Sequence, residues 1–382
     1  MTPRQRFVAT LTFGTPDRVP FDPGFGRKST REAWHRQGLP ENVADVDAYV
    51  REMVGVPRDP PAEKVFLETN FLMIPQFEER VLERRPSPSP GARGTLVVQD
   101  WKGNICEISD EFDVTYLRNP VDFVTRTWIR CPVESRADWL DLTSRYDPAD
   151  PRRLSEDFAL RAEKLRDRPY VAVMDIPGPF WQLREWLGFE NLCVLLHDDP
   201  DFVREMVDFW QRFVSGLLGR ILPHYLPDFI KVSEDMAYKE KPMIGPEMVR
   251  RFLLPCWKAW ADQARGAGVP VFEVDSDGHV GLLLPLFIEG GFNCNSPMEV
   301  AAGNDLPAYR RQYGRRMAYR GGVDKRAMAA GGGTIEKEIE RLQPAIDAGG
   351  FIPSCDHGVP PDVSWPSFLR YSRLLARATG WV

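Results

Sequence analysis

The sequence predicts an α/β protein, a single (β/α)8 TIM barrel with an inserted β-hairpin region in its N-terminal part. Short apolar segments that end in small or polar residues alternate with longer amphipathic segments, and eight such units can be counted. The 382 residues fit one barrel of roughly 250 residues with insertions, and a hydrophobic content of 43% suffices for a large core. An open doubly wound sheet has the same periodicity, although no GxGxxG motif follows the first strand.

The elements follow one another in a regular order. The first is a helix from Thr2 to about Leu11, since Thr2 and Gln5 form a capping box and Pro3 suits the first turn. The apolar segments predict eight strands, at Arg18–Asp22, Phe71–Ile74, Tyr170–Met174, Phe229–Val232, Val269–Val274, Gly291–Asn293, Met317–Arg320 and Gly350–Ile352. Apolar residues at intervals of three and four predict helices at Pro200–Leu222, Pro246–Ala267, Thr334–Ala348 and Ser364–Ala378.

One region, residues 82–150, interrupts this alternation. Thr95–Asp100 and Ile105–Ile108 flank a Trp-Lys-Gly-Asn turn, and this pattern is typical of a β-hairpin. We interpret the region as an insertion into the early barrel, so that residues 1–382 form one domain.

Composition excludes several classes of protein. The net charge of −6 argues against a general nucleic-acid binder, and no apolar run approaches the roughly 18 residues of a membrane span. The N-terminal segment lacks the apolar stretch and cleavage site of a signal peptide, and the six cysteines are scattered, without a CxxC pair. We therefore expect a cytoplasmic protein with reduced thiols and with neither nucleic acid nor membrane as a partner.

Candidate catalytic residues lie where the strands end, because the active site of such a barrel is at the C-terminal ends of its strands. Asp275, Asp277 and His279 follow the fifth predicted strand, and they form either a metal or acid/base cluster or a loop whose aspartates cap the next helix. Glu234 and Asp235 follow the fourth, as an acid/base pair or a solvated one.

A third group, Cys355, Asp356 and His357, follows the last predicted strand. Thiol, carboxylate and imidazole groups bind metals or transfer protons, and the alternative is a buried cysteine beside a histidine that bonds to the backbone. The chain has neither a GxSxG elbow nor an HExxH motif, so serine-hydrolase and zincin chemistry is disfavoured.

At these strand ends the chain resembles the uroporphyrinogen decarboxylase superfamily. The resemblance covers most of the chain and rests on an ordered series of segments: RQRFVATLTFGTPDRVPFDP, VMDIPGPFWQLREWLGFENLCVLLHDDPDFVREM, FIKVSEDMAYKEKPMIGPEMVRRFLLP, VFEVDSDGHV, GFNCNSPMEVAAGND, YRGGVDKRAM and FIPSCDHGVPPDVSWPSF. It implies a (β/α)8 barrel, which agrees with the eight units. The superfamily includes cofactor-free porphyrinogen decarboxylases and zinc methyltransferases that act with corrinoid proteins and thiols.

Both signatures of the superfamily are altered here. The decarboxylases have Met-Arg-Gln-Ala-Gly-Arg after the first strand, of which only Gly26-Arg27 can be matched. The methyltransferases bind zinc through a His-x-Cys-Gly motif and a late cysteine, and here Asp275-Ser276-Asp277-Gly278 and Cys355 stand at those places. The resemblance therefore implies zinc as the candidate metal, with Asp275, Asp277 and Cys355 as its ligands and with His279, His357 or Glu234 as alternative ligands.

The resulting hypothesis is a metal-assisted methyltransferase. It would move a methyl group between a small methylated substrate, a corrinoid protein or a thiol, with no bound organic cofactor, and with corrinoid supplied only by a partner protein. We expect acid/base roles for Glu234, Asp356 and His357, and substrate contacts from Arg27, Lys28, Asp175 and His279. The alternatives are a cofactor-free decarboxylase of a porphyrinogen or another carboxylated molecule, and a non-catalytic binding barrel; a homodimer is the assembly to test.

Overall fold

The structure is a computed structural model that describes residues 1–59, 69–87, 93–118, 122 and 125–382. Its strands are β1 Arg80–Arg85, β2 Thr95–Gln99, β3 Ile105–Ser109, β4 Arg126–Arg130, β5 Val173–Pro177, β6 Phe229–Ser233, β7 Val271–Asp275, β8 Cys294–Ser296, β9 Ala318–Val323 and β10 Phe351–Cys355. Its helices are α1 Pro3–Leu11, α2 Lys28–His35, α3 Val46–Val54, α4 Arg136–Thr143, α5 Phe158–Lys164, α6 Pro179–Leu187, α7 Phe189–Asp198, α8 Pro200–Ile221, α9 Pro246–Met248, α10 Leu254–Ala267, α11 Leu284–Glu289, α12 Leu306–Tyr313, α13 Lys325–Ala330, α14 Gly333–Asp347 and α15 Trp365–Ala378.

The chain divides into two compact units. The parallel-sheet unit comprises the described residues of 1–67, 157–176 and 218–382, and the antiparallel-sheet unit those of 68–156 and 177–217. The predicted insertion at 82–150 lies within the second unit, and its residues 88–92, 119–121, 123 and 124 lie outside the described part. A single domain over residues 1–382 stays a prediction.

The first unit confirms the α/β class. Its six-stranded sheet has the order β10-β9-β8-β7-β6-β5, and the ladders between β6 and β10 are parallel, as expected when a helix follows each strand. The sheet is not closed within the described residues, so a complete barrel stays a prediction. Outside the named strands, Gly26 and Val359 form an isolated parallel bridge.

Two predicted strands are absent, and a third, Gly291–Asn293, ends one residue before β8 begins. The backbone of Arg18–Asp22 is bonded outside any ladder: Val19 N–H donates to the Thr379 carbonyl, the Val19 carbonyl accepts from the Trp381 indole, and Pro20 has no N–H. The segment Phe71–Ile74 likewise bonds to loop groups of its own unit, with Ile74 N–H donating to the Arg145 carbonyl. Extended chain without a neighbouring strand is therefore present where the apolar pattern predicts a strand.

The core of the parallel-sheet unit includes a cluster at the N-terminal part of the strands. Phe7 and Leu11 of α1 pack on buried residues of consecutive strands, namely Phe229, Val271, Cys294, Ala318 and Ile352. We call the sheet face that carries these five residues the inner face. The predicted capping box positions α1, since Gln5 N–H donates to the Thr2 hydroxyl and Thr2 N–H donates to the Gln5 side chain.

The second unit contains the predicted hairpin as part of a four-stranded antiparallel sheet with the order β1-β2-β3-β4. Strands β2 and β3 pair from Thr95 with Ser109 to Gln99 with Ile105, and the Asp100 carboxylate accepts the N–H groups of Lys102 and Asn104 in the turn. The outer strands β1 and β4 expose most of their side chains. Within the described ranges, no helix is both long and apolar enough to cross a bilayer.

Candidate active site

Charged side chains lie on the inner face, two residues further along the strands than the apolar cluster. Side chains alternate between the faces of a strand, so Lys231 shares its face with Phe229, and Glu273 and Asp275 share theirs with Val271. The ladder between β6 and β7 places Lys231 opposite Glu273. The sequence therefore directs an acidic and a basic group into the same interior, at the C-terminal half of the strands.

Lys231 lies between two carboxylates from the neighbouring strands, and we call Lys231, Asp175 and Asp275 the Lys231 triad. The Lys231 Nζ is 3.1 Å from Asp175 Oδ1 and 3.3 Å from Asp275 Oδ2. The Asp175 side chain is 58% exposed and that of Asp275 is 32% exposed. A ligand that arrives at the strand ends therefore has access to both acids.

The triad changes the proton affinity of its members. Burial raises the pKa of Asp275 to about 6, despite the lowering effect of Lys231, and the neighbouring Glu273 and Asp277 raise it further. Burial alone would lower the pKa of Lys231, but Asp275 and Asp175 raise it above the ordinary value. Asp275 can therefore hold a proton at mildly acidic pH beside a charged lysine, and a carboxyl group with a raised pKa suits a general acid.

A buried ion pair lies directly below the triad. The Glu273 side chain is 0% exposed, and both of its oxygens lie 3.1 Å from Arg320 NH1. The Ser296 hydroxyl also donates to Glu273 at 2.9 Å, and Arg320 stacks over the rings of Phe7 and Phe229. Burial lowers the pKa of Arg320, but Glu273 reverses that effect and raises it. These contacts hold the buried Glu273–Arg320 pair in place below the triad.

His357 and Asp277 come together from two different strand ends. Their closest atoms, Nε2 and Oδ2, are 3.5 Å apart. The contact with Asp277 raises the pKa of His357, although burial acts in the opposite direction. His357 and Asp277 were both predicted at strand ends, and the fold brings their side chains together.

Asp356 belongs to a second cluster, formed with Lys325 and Glu299, which we call the Lys325 cluster. Lys325 Nζ is 2.7 Å from Glu299 and 3.8 Å from Asp356. The fully buried Asp356 carboxylate also accepts the backbone N–H groups of Val300 and Lys325, and burial raises its pKa to about 6. Glu299 accepts the N–H of Gly278 at 2.9 Å, so this cluster fixes the loop that carries Asp277.

Glu234 lies fully buried behind the strand end. One of its carboxylate oxygens accepts the indole N–H of Trp257 in α10. The backbone N–H of Glu234 donates to the Asp275 carbonyl, which ties the end of β6 to the end of β7. Its side chain therefore contacts the helix layer in this structure.

The predicted substrate residues are spread over several places. Arg27 is half-buried beside Gly358, whose added Cβ would lie 3.3 Å from the Arg27 Nε. Lys28 begins α2 with an exposed side chain 3.8 Å from Glu32. His279 is half-buried, with its Nε2 3.4 Å from the Tyr309 hydroxyl and its Nδ1 without a hydrogen-bond partner in the described part of the chain.

The three predicted metal ligands do not form one donor set. Ile352 lies on the inner face, so Ser354 shares that face and Cys355 points to the opposite one. There its Cβ contacts the Gly24 position, and burial raises the pKa of its thiol to about 12. Within the described ranges, no group of three His, Cys, Asp or Glu side chains is arranged to bind a metal. As they stand, Asp275, Asp277 and Cys355 do not fit zinc.

Sequence reasoning missed the residues in the middle of the strands. Lys231, Glu273 and Arg320 interrupt apolar strand segments, whereas the search for candidates was confined to residues after the strand ends. A charged residue in a segment that is otherwise apolar on both sides is the signal that would have found them, because such a residue needs a partner in the interior.

Comparisons with known proteins find a similar fold among the solved structures. No protein-family model and no curated protein sequence matches the chain. Among solved structures, a methyltransferase from Methanosarcina mazei is similar over 99% of this chain and 98% of that chain, with a TM-score of 0.57 and 15% sequence identity. At this level of identity, the likeness supports a shared fold.

Proposed function

We propose that this protein is a methyltransferase that takes a methyl group from a heteroatom of a small molecule at the strand ends. The observation that carries the proposal is the Lys231 triad, in which one lysine contacts carboxylates from both neighbouring strands. The structural similarity to a methyltransferase over nearly the whole chain supports it, as does the sequence resemblance to the uroporphyrinogen decarboxylase superfamily.

In this proposal Asp275 acts as the general acid. When the bond between the methyl carbon and its heteroatom breaks, the electron pair stays on the heteroatom, which then takes the proton of the Asp275 carboxyl group. Lys231 stabilises the aspartate that remains, and the methyl carbon forms its new bond to the acceptor. The acceptor is a thiolate, whose proton has gone to solvent, or a reduced corrinoid carried by a partner protein, and it supplies the electron pair of the new bond.

The other groups of the site bind and orient. The Glu273–Arg320 pair holds Lys231 and Asp275 from below, and the Lys325 cluster holds the loop of Asp277. His357 lies against Asp277, where it can bind an anionic group of the substrate when protonated. The proposal uses no metal bound by Asp275, Asp277 and Cys355, because those three residues do not form one donor set.

The test is methyl transfer by the purified full chain. A panel of methylated alcohols, amines and ethers is incubated with reduced free cobalamin or with a thiol as acceptor, and the methylated acceptor is measured. Asp275→Asn should reduce the rate of an active donor by 10²-fold or more, and Lys337→Met, on the exposed face of α14, should not. An Asp275→Asn variant with full activity would refute the mechanism.

A cofactor-free decarboxylase is the second candidate, and the two interior cations favour it. Lys231 and Arg320 lie on the same face and are able to bind a carboxylate, while Asp275 is able to protonate the carbanion left by loss of CO2. Release of CO2 from a porphyrinogen or another carboxylated substrate, without methylation of any acceptor, would replace the first proposal with this one. Ligand binding without turnover of either kind would point to a non-catalytic barrel.

A further inference from the structure

A buried asparagine, Asn304, bonds to the loop that follows β7. It stands between β8 and α12 in the chain and is 4% exposed. Its side-chain amide donates to the carbonyls of Gly278 at 2.8 Å and Glu299 at 2.9 Å, and its oxygen accepts the N–H of Val280 at 3.1 Å. The Tyr309 hydroxyl donates to the same oxygen at 3.3 Å. Both N–H groups and both lone pairs of the amide are therefore used.

These bonds hold Gly278 from two sides of its backbone. The Gly278 N–H donates to the Glu299 carboxylate at 2.9 Å, while its carbonyl accepts from Asn304, which also bonds to the Glu299 carbonyl. Gly278 has a φ of +79°, and an added Cβ there would lie 2.4 Å from the Ala237 carbonyl oxygen. The loop after β7 is therefore packed between the segments that follow β6 and β8.

The position of Asp277 depends on this loop, whereas that of Asp275 does not. Asp275 is the last residue of β7 and is paired with residues of β6 and β8 in the ladders. Asp277 comes two residues later and directly precedes Gly278, and its carboxylate is 41% exposed and 3.5 Å from the Nε2 atom of His357. A displacement of Gly278 therefore changes the contact between Asp277 and His357 and leaves Asp275 in place.

We infer that Asn304 is a positioning residue for the Asp277–His357 pair, because it holds the loop at Gly278 so that the Asp277 carboxylate meets the imidazole. The inference rests on the proposed function, in which that pair binds the substrate and Asp275 transfers the proton. Asn304 is buried and bonds to backbone groups, so it acts on the substrate through Asp277. Loss of Asn304 should weaken substrate binding and leave proton transfer unchanged.

The first measurement is hydrogen exchange of the backbone amides of the full chain, detected by NMR. Asn304→Ala should speed the exchange of the Val280 amide, which loses its acceptor, by about fivefold or more, the equivalent of one neutral hydrogen bond. The Gly278 amide should also exchange faster, although its own bond to Glu299 remains, because the loop opens more often. This second effect distinguishes the positioning of a loop from the loss of one bond.

Asn293 provides a matched control, because it also joins two strands through backbone groups. It precedes β8, and its amide donates to the Pro270 carbonyl at 2.9 Å and accepts the Phe272 N–H at 2.8 Å. Asn293→Ala should speed the exchange of the Phe272 amide and leave both amides of the loop after β7 unchanged. Asn304→Ala should leave the Phe272 amide unchanged.

The second measurement is the steady-state kinetics of methyl transfer from a donor that the wild type uses. Asn304→Ala should raise KM by about fivefold or more and change kcat by less than about twofold, whereas Asn293→Ala should change neither. If the wild type uses no donor, the proposed function fails, and the exchange rates still decide whether Asn304 holds the loop.

Circular dichroism of each variant establishes that it is folded. If Asn304→Ala does not fold, Asn304→Asp replaces it, since that change keeps the size and the acceptor for Val280 but loses both donors; the Gly278 amide should again exchange faster. Wild-type exchange at Gly278 in a folded Asn304 variant would overturn the inference. A lower kcat with an unchanged KM would do the same, as would equal acceleration of Gly278 by Asn293→Ala.

Discussion

The charge balance of the Lys231 triad can be perturbed by one substitution, Lys231→Met. Methionine is similar in length to lysine, so the apolar part of the contact is retained while the charge is removed. The Lys231 Nζ lies 3.3 Å from the Asp275 carboxylate, and at that separation the attraction is about 1.3 kcal/mol even with the dielectric constant of water, ~80. That energy corresponds to about one pKa unit.

We therefore expect the pKa of Asp275 to rise from about 6 to about 7 or higher in Lys231→Met. A lower effective dielectric constant, as expected in a partly buried site, makes the rise larger. The measurement is a pH titration by NMR of protein labelled with ¹³C at the aspartate carboxyl carbons. The Asp275→Asn variant assigns the resonance, since the signal that it removes belongs to Asp275.

The same titration provides the control. Lys337→Met removes an exposed lysine from α14 and should leave the midpoint of the Asp275 resonance unchanged. The reasoning would be refuted if Asp275 titrated near its ordinary value of 3.8 in the wild type, or if Lys231→Met left its midpoint in place. Either result would remove the basis for Asp275 as a general acid.

Four further predictions concern single residues. The Cys355 thiol, 4% exposed with a pKa of about 12, should resist iodoacetamide at pH 8 in the native protein while the half-buried Cys193 reacts; mass spectrometry that finds Cys355 labelled first would contradict this. Gly321→Ala should lower the free energy of unfolding by about 3 kcal/mol or more, because φ is +93° and an added Cβ would lie 1.8 Å from the Pro297 carbonyl oxygen. Gly333 has open space around it, so Gly333→Ala should change the free energy of unfolding by less than about 1 kcal/mol. Both values are measured by urea titration, and equal costs for the two variants would contradict the prediction. Glu234→Ala should lower the free energy of unfolding by roughly 1–3 kcal/mol, since it leaves the Trp257 indole N–H without its acceptor, whereas Glu234→Gln should cost less; equal urea midpoints for the two variants would argue against that bond. Asp277 raises the pKa of His357, so the stability gained from this pair is fully present below pH 6.5 and is lost as the pH rises through the raised value; Asp277→Asn should remove that part of the pH dependence of Tm, and an unchanged profile would count against the contact.

The sequence was sufficient for most of the regular elements and for part of the site. The capping box of α1, the hairpin at Thr95–Ser109 and the parallel strands follow from local patterns, which act over a few residues. The pattern failed at Arg18–Asp22 because an apolar extended segment satisfies its backbone in a loop as well as in a ladder. Strand pairing is a property of distant parts of the chain, and local patterns do not contain it.

Site residues were predictable by position but not by direction. Asp277 and His357, which follow different strands and lie on different loops, were both expected at the strand ends and do meet. Cys355 was expected there too, yet the alternation of side chains along β10 directs it to the other face of the sheet. A one-residue error in the phase of a strand therefore suffices to move a candidate ligand out of a site.

The outer strands of the antiparallel sheet have a consequence for the protein in concentrated solution. Strand β1 is exposed along its whole length and includes Arg80, Arg84 and Arg85, and β4 begins and ends with Arg126 and Arg130. The ladder of β1 is also irregular between Val81 and Glu83. Unpaired strand edges invite other chains to extend the sheet, and both guanidinium charges and irregular pairing oppose this. The charges and the irregular pairing of these two strands therefore oppose aggregation through the edges of the sheet.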